Sequence, residues 1–116
     1  MAPRRILVVE DEFLIALDIC GVLEQAGYAV VGPAGTTAEA LGAIEGEIIH
    51  GALIDVNLAG ELVGSVADAL TRRGIPFAFV SGYGRDRLPA HHQQAPLVRK
   101  PFTGKDLLDA VAQFAR

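Results

Sequence analysis

The chain has 116 residues, 51% of them hydrophobic, and one cysteine, Cys20; this length and composition suit one domain, 1–116, with a single core, and exclude an internal disulfide. Its formal charge of −4 argues against nucleic-acid binding through phosphate contacts, and no apolar run approaches the roughly 20 residues of a membrane-spanning helix. Because the apolar run at residues 6–9 is also too short for a secretory signal, we expect a cytoplasmic protein that has neither nucleic acid nor a membrane as its partner.

Five short apolar runs recur along the chain, and turn or charged residues bound each of them. They predict strands at residues 6–9, 28–31, 52–54, 77–80 and 97–98. Their spacing leaves room for one helix between each pair of strands and one after the last strand. The runs are apolar throughout, which is typical of strands buried on both faces of a sheet.

Helical spacing of apolar residues fills most of the intervals between the predicted strands. Thr36 and Thr103 stand where helix N-caps are expected, and Thr36 has the capping-box partner Glu39. The segment 82–95 differs, because Pro89 and a polar composition leave little apolar face to dock. We therefore predict a short or mobile fourth helix.

Strands that alternate with helices imply a parallel sheet with helices on both faces. Five such units fit an open doubly wound α/β fold with the flavodoxin-like strand order 2-1-3-4-5. No linker, repeat or low-complexity segment interrupts the pattern. We predict this fold class for the whole chain.

Polar side chains directly follow four of the predicted strands. Glu10 and Asp11 follow the first strand, Asp55 the third, Ser81 the fourth and Lys100 the fifth. In open sheets of this class the working site lies beyond the carboxyl ends of the strands, so these groups should meet at one edge. Carboxylates about 4 Å apart repel by roughly 4 kcal/mol near a protein surface, which predicts a bound cation.

The predicted edge combines hard oxygen ligands with one reactive carboxylate. Mg²⁺ takes one or two carboxylates together with phosphate oxygens, so Asp11 and Asp55 are expected to be direct ligands. Asp55 can act as a nucleophile toward a phosphoryl group, with the metal and Lys100 neutralising the incoming charge. Taken singly, these residues have ordinary explanations as helix caps, turn residues or solvated charges. Their joint occurrence at four strand ends favours the functional interpretation.

These residues and their order make the chain resemble a response-regulator receiver domain of two-component signalling over essentially all of its length. The resemblance implies that Asp55 accepts a phosphoryl group from a histidine kinase. It also implies that Asp11 binds Mg²⁺ directly, that Glu10 acts through a metal-bound water, and that the backbone carbonyl of Asn57 completes the protein ligands. The chain is then a signalling domain and not an enzyme.

The same resemblance assigns roles to residues near the last two strands. Ser81 would donate a hydrogen bond to one phosphoryl oxygen after phosphorylation, and Lys100 would pair with another. Pro101 resembles the cis-proline of the family. Many receivers carry a switch aromatic three residues before the lysine, where this chain has Leu97, so the usual coupling of serine to that aromatic is not expected. Tyr83 is a candidate replacement, and its alternative is an ordinary surface tyrosine.

A narrower resemblance rests on two segments, "PFAFVSGYG" at 76–84 and "PLVRKPF" at 96–102. They are similar to the FAT GUY subgroup of stand-alone receivers, with Val80 and Ser81 in place of that group's Ala and Thr. The subgroup implies a histidine kinase of the HWE or a closely related type, a downstream protein target, and no output domain. Such a receiver acts by docking to a partner or by draining phosphoryl groups from a kinase.

Three other functions remain open at this point. A pseudo-receiver would use the fold only as an interaction module and would not need the acids, the serine and the lysine. A phosphatase with an aspartate nucleophile typically has a second aspartate where this chain has Asn57. A nucleotide-binding or flavin-binding protein would need a glycine-rich loop after the first strand in place of "EDEF". The adjacent His91 and His92 lack the spacing of a structural zinc site, and we expect both to be solvated.

Overall fold

The computed structural model describes residues 2–58 and 60–115, so the two ends of the predicted domain and residue 59 lie outside it. The described strands are β1 (Arg5–Val9), β2 (Ala29–Ala34), β3 (Gly51–Asp55), β4 (Phe77–Ser81) and β5 (Leu97–Arg99). The described α-helices are α1 (Phe13–Gln25), α2 (Thr37–Gly46), α3 (Gly64–Arg72) and α4 (Gly104–Ala112). Across this part of the chain, no helix has both the length and the apolar character needed to cross a bilayer.

The five strands form one sheet in the order β2-β1-β3-β4-β5, and every strand pair in it is parallel. The predicted fold class and strand order are therefore confirmed. β2 is longer than predicted, because it continues at the edge of the sheet through Gly32 and Pro33. Pro33 is tolerated there because an edge strand has one side free of partners.

β1 illustrates how both faces of the sheet are buried. Leu7 and Val9 belong to the apolar cluster that contains residues of α2 and α3, whereas Ile6 and Val8 pack with residues of α1 and α4. Successive side chains of a strand point to opposite faces, so a run of apolar residues supplies both clusters. Each fully buried Leu or Ile side chain contributes about 1.5–3 kcal/mol. This packing stabilises the fold while the sheet holds charged groups at its edge.

The two predicted N-caps are present. The hydroxyl oxygen of Thr36 accepts the backbone N–H of Glu39 at 3.1 Å at the start of α2. Thr103 forms a full capping box at the start of α4, because its hydroxyl accepts from the Asp106 N–H and the Asp106 carboxylate accepts from the Thr103 N–H. Such caps satisfy N–H groups that have no partner within the helix.

The connection between β4 and β5 contains two short 3₁₀ turns, Arg85–Arg87 and Ala90–His92, in place of an α-helix. The prediction of a short fourth helix is thus confirmed. The buried Leu88 lies between the turns and packs against the core. The Arg85 guanidinium donates to the backbone carbonyl of Ala95 at 2.6 Å, which closes the connection on itself.

The prediction that both histidines of this connection are solvated is wrong for His92. His91 is exposed, but the His92 ring packs edge-on against Phe77 and Phe79. Its Nε2 lies 2.7 Å from Oδ1 of Asp68 on α3, a contact that lowers the pKa of the Asp68 carboxyl. Adjacent residues of a short turn point in different directions, and the sequence does not show which of them faces the sheet.

Candidate functional site

The sheet register aligns the strand ends that carry the acids. Val9 of β1 lies beside Ile54 of β3, so the residues that follow them, Glu10 and Asp55, come side by side. The backbone pairing of β1 with β2 continues one residue past the end of β1, because the Glu10 N–H donates to the carbonyl of Ala34 at 2.9 Å. Two neighbouring parallel strands therefore deliver two acids to the same point of the edge.

Three acids meet at this edge. Carboxylate oxygens of Glu10, Asp11 and Asp55 all lie within 4.8 Å of one another. Glu10 and Asp55 are only 2% and 3% exposed, whereas Asp11 is exposed to solvent. The site therefore has a buried floor of two carboxylates and an open side at Asp11.

Glu10 is the least satisfied group of the cluster. Its Oε2 accepts the Glu12 N–H at 3.1 Å, but its buried Oε1 has no hydrogen-bond partner among the described residues. Burial, followed by the contact with Asp55, raises the pKa of Glu10 to about 7. Both effects penalise the charged form, and a nearby cation would relieve them.

Lys100 supplies the positive side chain of the site. Its Nζ lies 3.3 Å from Oδ1 of Asp55 and 3.5 Å from Oε1 of Glu10. Partial burial lowers the pKa of Lys100, but the negative charges of Asp55 and Glu10 outweigh burial and raise it above the ordinary value. The site holds one ammonium and three carboxylates, so it has an excess of two negative charges when all three acids are ionised. This balance and the oxygen donors suit a hard divalent cation such as Mg²⁺.

The two oxygens of Asp55 have different surroundings. Oδ1 accepts the backbone N–H of Asn57 at 3.1 Å and the ammonium of Lys100 at 3.3 Å. No hydrogen bond from the residues in 2–58 and 60–115 reaches Oδ2. Asp55 is thus held by one oxygen, and the other is available to a metal or an electrophile.

Ser81 ends β4 beside the acids. Its side chain is buried, and its Oγ accepts the Tyr83 N–H at 2.9 Å. The carbonyl of Ser81 accepts the Lys100 N–H at 2.8 Å, which fixes the spacing between the hydroxyl and the lysine. The peptide bond between Lys100 and Pro101 is cis, in agreement with the resemblance.

Tyr83 is joined to the site through its backbone. Its side chain is 52% exposed, and the Arg87 guanidinium lies 4.8 Å from the ring centroid. Stacking of this kind at an exposed site contributes about 0.5–1 kcal/mol. Of the predicted residues, the acids, Ser81 and Lys100 meet at one edge, whereas the Tyr83 ring is packed with Arg87.

No residue pattern in the sequence indicates that β2 contributes to the site. The Ala34 carbonyl binds the Glu10 N–H, and the next residue, Gly35, lies against the Asp11 backbone. A Cβ at Gly35 would be 3.9 Å from the Asp11 Cα, in ordinary contact. Backbone groups have no residue-type signature, so only the strand register could have revealed them.

Substituting Glu10→Gln is expected to stabilise the metal-free protein by about 1 kcal/mol at pH 8, because it removes a buried and incompletely compensated charge. In the folded protein the pKa of Glu10 is about 7, above its ordinary value of 4.5. The contribution of Glu10 to the free energy of unfolding is therefore fully present below pH 4.5 and is lost as the pH rises through 7. The difference in the free energy of unfolding between the variant and the wild type should therefore grow from pH 5 to pH 8. Chemical denaturation in EDTA measures this difference.

The exposed Glu45→Gln is the matched control for this change and should have little effect at either pH. Excess Mg²⁺ should reduce or reverse the advantage of Glu10→Gln, because the cation offsets the charge. A Glu10→Gln protein that is less stable than wild type at pH 8 in EDTA would contradict this account of the site.

No protein-family model matches the chain. The chain is 28% identical over 113 residues to the transcriptional regulatory protein PdtaR of Mycobacterium tuberculosis. It is 34% identical over 113 residues to the phyllosphere-induced regulator PhyR of Methylorubrum extorquens. The matches cover 94% and 93% of the chain but 55% and 42% of the two relatives, so the chain spans about half of their length.

Several solved structures match along nearly their full length. SdrG from Sphingomonas melonis Fr1 is 38% identical with a TM-score of 0.86, and the match covers 100% of this chain and 99% of SdrG. The BeF₃-activated conformation of SdrG matches with a TM-score of 0.79 at 38% identity, over 97% of each chain. A CheY-like response regulator receiver domain protein from Methanospirillum hungatei JF-1 is 29% identical with a TM-score of 0.82. That match covers 96% of this chain and 92% of the Methanospirillum chain.

Proposed function

This chain belongs to the response-regulator receiver family, and we propose that it accepts a phosphoryl group on Asp55 from a phosphohistidine of a sensor histidine kinase. The observation that carries the proposal is the asymmetry of Asp55. Asn57 and Lys100 hold Oδ1, while Oδ2 accepts no hydrogen bond from the described residues. A carboxylate held in this way is oriented for attack with its second oxygen.

In the proposed reaction, Oδ2 of Asp55 attacks the phosphorus and forms a P–O bond. The P–N bond of the phosphohistidine breaks, its electron pair goes to the imidazole nitrogen, and that nitrogen takes up a proton. Lys100 lies close enough to Asp55 to stabilise negative charge on one phosphoryl oxygen, and the Ser81 hydroxyl can donate to another. Catalysis of such transfers depends mainly on positioning and charge stabilisation.

Asp11, Asp55 and the backbone carbonyl of Asn57 would hold Mg²⁺ directly, and Glu10 would act through a bound water. Two observations support this assignment. The buried Oε1 of Glu10 has no hydrogen-bond partner among the described residues and only the Lys100 ammonium at 3.5 Å, and the three acids outnumber the one ammonium. When bound, Mg²⁺ would neutralise charge on the phosphoryl oxygens during the transfer. The residues of the chain bind and orient the reacting groups.

The proposed signalling mode is that of a stand-alone receiver that acts in the cytoplasm through contacts with other proteins. Its proposed partners are a histidine kinase, of the HWE type that the FAT GUY resemblance implies, and a downstream protein. It would signal by docking or act as a phosphate sink. The match to nearly the whole of SdrG supports this mode. Tyr83, half exposed and bonded through its N–H to Ser81, is the proposed switch residue in place of the missing aromatic at Leu97.

A direct test incubates the protein with a small-molecule phosphodonor and Mg²⁺, and follows its intact mass. We expect a gain of one phosphoryl group in Mg²⁺, little or no gain in EDTA, and loss of the group in mild base, because acyl phosphates are labile there. Beryllofluoride with Mg²⁺ should also shift backbone amide signals around Asp55 and Ser81. Two results would contradict the proposal. The first is a protein that shows neither a mass gain nor a response to beryllofluoride, and the second is a mass gain that is unchanged in EDTA.

A further inference from the structure

The loop between β3 and α3 is tied to the start of α2 by one carboxylate. Oε1 of Glu61 accepts the backbone N–H of Thr37, the first residue of α2, at 2.8 Å across 24 residues of sequence. The first N–H groups of a helix have no partner within the helix, and a negative charge is favourable beside them. The contact therefore joins the segments that follow β2 and β3, the two strands on either side of β1.

The loop that Glu61 anchors begins at the site itself. The Asn57 N–H donates to Asp55, the Leu58 side chain is fully buried, and the Glu61 N–H donates to the Leu58 carbonyl at 2.7 Å. Asn57 thus lies between two fixed points, Asp55 on one side and Leu58 with Glu61 on the other. A displacement of Glu61 would therefore be transmitted to Asn57 through only a few bonds.

The start of α2 also contacts the loop that carries Asp11. Gly35, two residues before Thr37, lies against the Asp11 backbone, and its N–H donates to Oε1 of Glu39 at 3.1 Å. The preceding residue, Ala34, accepts the Glu10 N–H. The segment that leads into α2 therefore lies beside the loop after β1, and the start of α2 is bonded to the loop after β3 through Glu61.

We propose that Glu61 is a positioning residue for the cation site. By binding the start of α2, it holds the loop after β3, and with it Asn57 and Asp55, at a fixed distance from Asp11. This inference rests on the proposed function, because the site that it positions is the Mg²⁺ site of the phosphoryl transfer. Glu61 itself is exposed and lies outside the acidic cluster, so it acts through other residues.

Mg²⁺ titration of the full chain, followed by backbone amide shifts, tests this role. Glu61→Ala is expected to weaken Mg²⁺ affinity by about three- to tenfold, less than the 10–100-fold typical of partners that hold a metal ligand directly. Glu61→Gln should restore most of the affinity, because its amide oxygen can still accept the Thr37 N–H. The phosphorylation rate of Glu61→Ala should fall at low Mg²⁺ and recover at saturating Mg²⁺.

Two controls separate positioning from other effects. Glu45→Ala removes an exposed carboxylate elsewhere on α2, and Thr36→Ala removes the N-cap of the same helix without touching the loop. Glu45→Ala should retain affinity within about twofold, since exposed charges are largely screened. Thr36→Ala should do the same, since it leaves the backbone N–H of Thr37 that Glu61 binds. Equal affinity in Glu61→Ala and Glu45→Ala, or an equal loss in Thr36→Ala, would overturn the role of Glu61. A wild-type protein without saturable Mg²⁺ binding would instead remove the proposed function, and the positioning role with it.

Discussion

Asp55→Asn is expected to abolish phosphoryl transfer from any donor and to leave the fold intact. The neutral amide cannot act as the attacking oxygen, so the expected loss is complete and not partial. Asparagine has the same shape, and its Oδ1 can still accept the Asn57 N–H that holds Asp55 in place. We expect the free energy of unfolding to change by no more than about 1–2 kcal/mol. Intact mass after incubation with phosphodonor and Mg²⁺ measures the first effect, and chemical denaturation the second.

The chain contains a matched control for this change. Asp109 on α4 also pairs with a lysine, Lys105, at 2.6 Å, but both side chains are exposed. Asp109→Asn removes the same charge from the same kind of pair, and such surface pairs contribute at most about 1 kcal/mol. We expect it to be phosphorylated at the wild-type rate. Phosphorylation of Asp55→Asn at a rate near that of Asp109→Asn would exclude Asp55 as the acceptor.

The fold was predictable because its determinants are local in sequence. The apolar runs such as 77–80 have strand length and lack polar residues, and threonine caps mark the starts of α2 and α4. Parallel strands separated by helices have few compact arrangements, so these local signals lead to one strand order. The site followed from the same logic, because the residue after each buried strand must lie at the same edge of the sheet.

Two long-range side-chain contacts could not be predicted in the same way. The bond between Glu61 and Thr37 and the pair of His92 and Asp68 each join residues 24 positions apart. Neither pair has a motif, and their formation depends on loop paths that follow from tertiary packing. The sequence therefore placed the acids, Ser81 and Lys100 at one edge of the sheet and gave no indication of these two contacts.

Asp11→Asn is expected to weaken Mg²⁺ binding by about 10–100-fold, because it replaces a charged oxygen donor on the open side of the site with a neutral amide. At a Mg²⁺ concentration of 100 times the wild-type Kd, the metal stabilises the wild-type fold by about 2.7 kcal/mol. A hundredfold weaker variant at that concentration gains only about 0.4 kcal/mol. Thermal or chemical unfolding with Mg²⁺ and with EDTA measures both gains directly.

The neighbouring Glu12 decides whether this effect comes from ligation or from negative charge in general. Glu12 caps the N-terminus of α1 without a side-chain hydrogen bond and is absent from the cluster of Glu10, Asp11 and Asp55. Glu12→Gln removes one charge one residue from Asp11, so its effect on Mg²⁺ affinity should be below about threefold and should fade at high salt. The Asp11→Asn effect should persist in high salt, because a lost ligand cannot be screened. Equal, salt-sensitive losses in the two variants would mean that the three acids form only a diffuse negative surface.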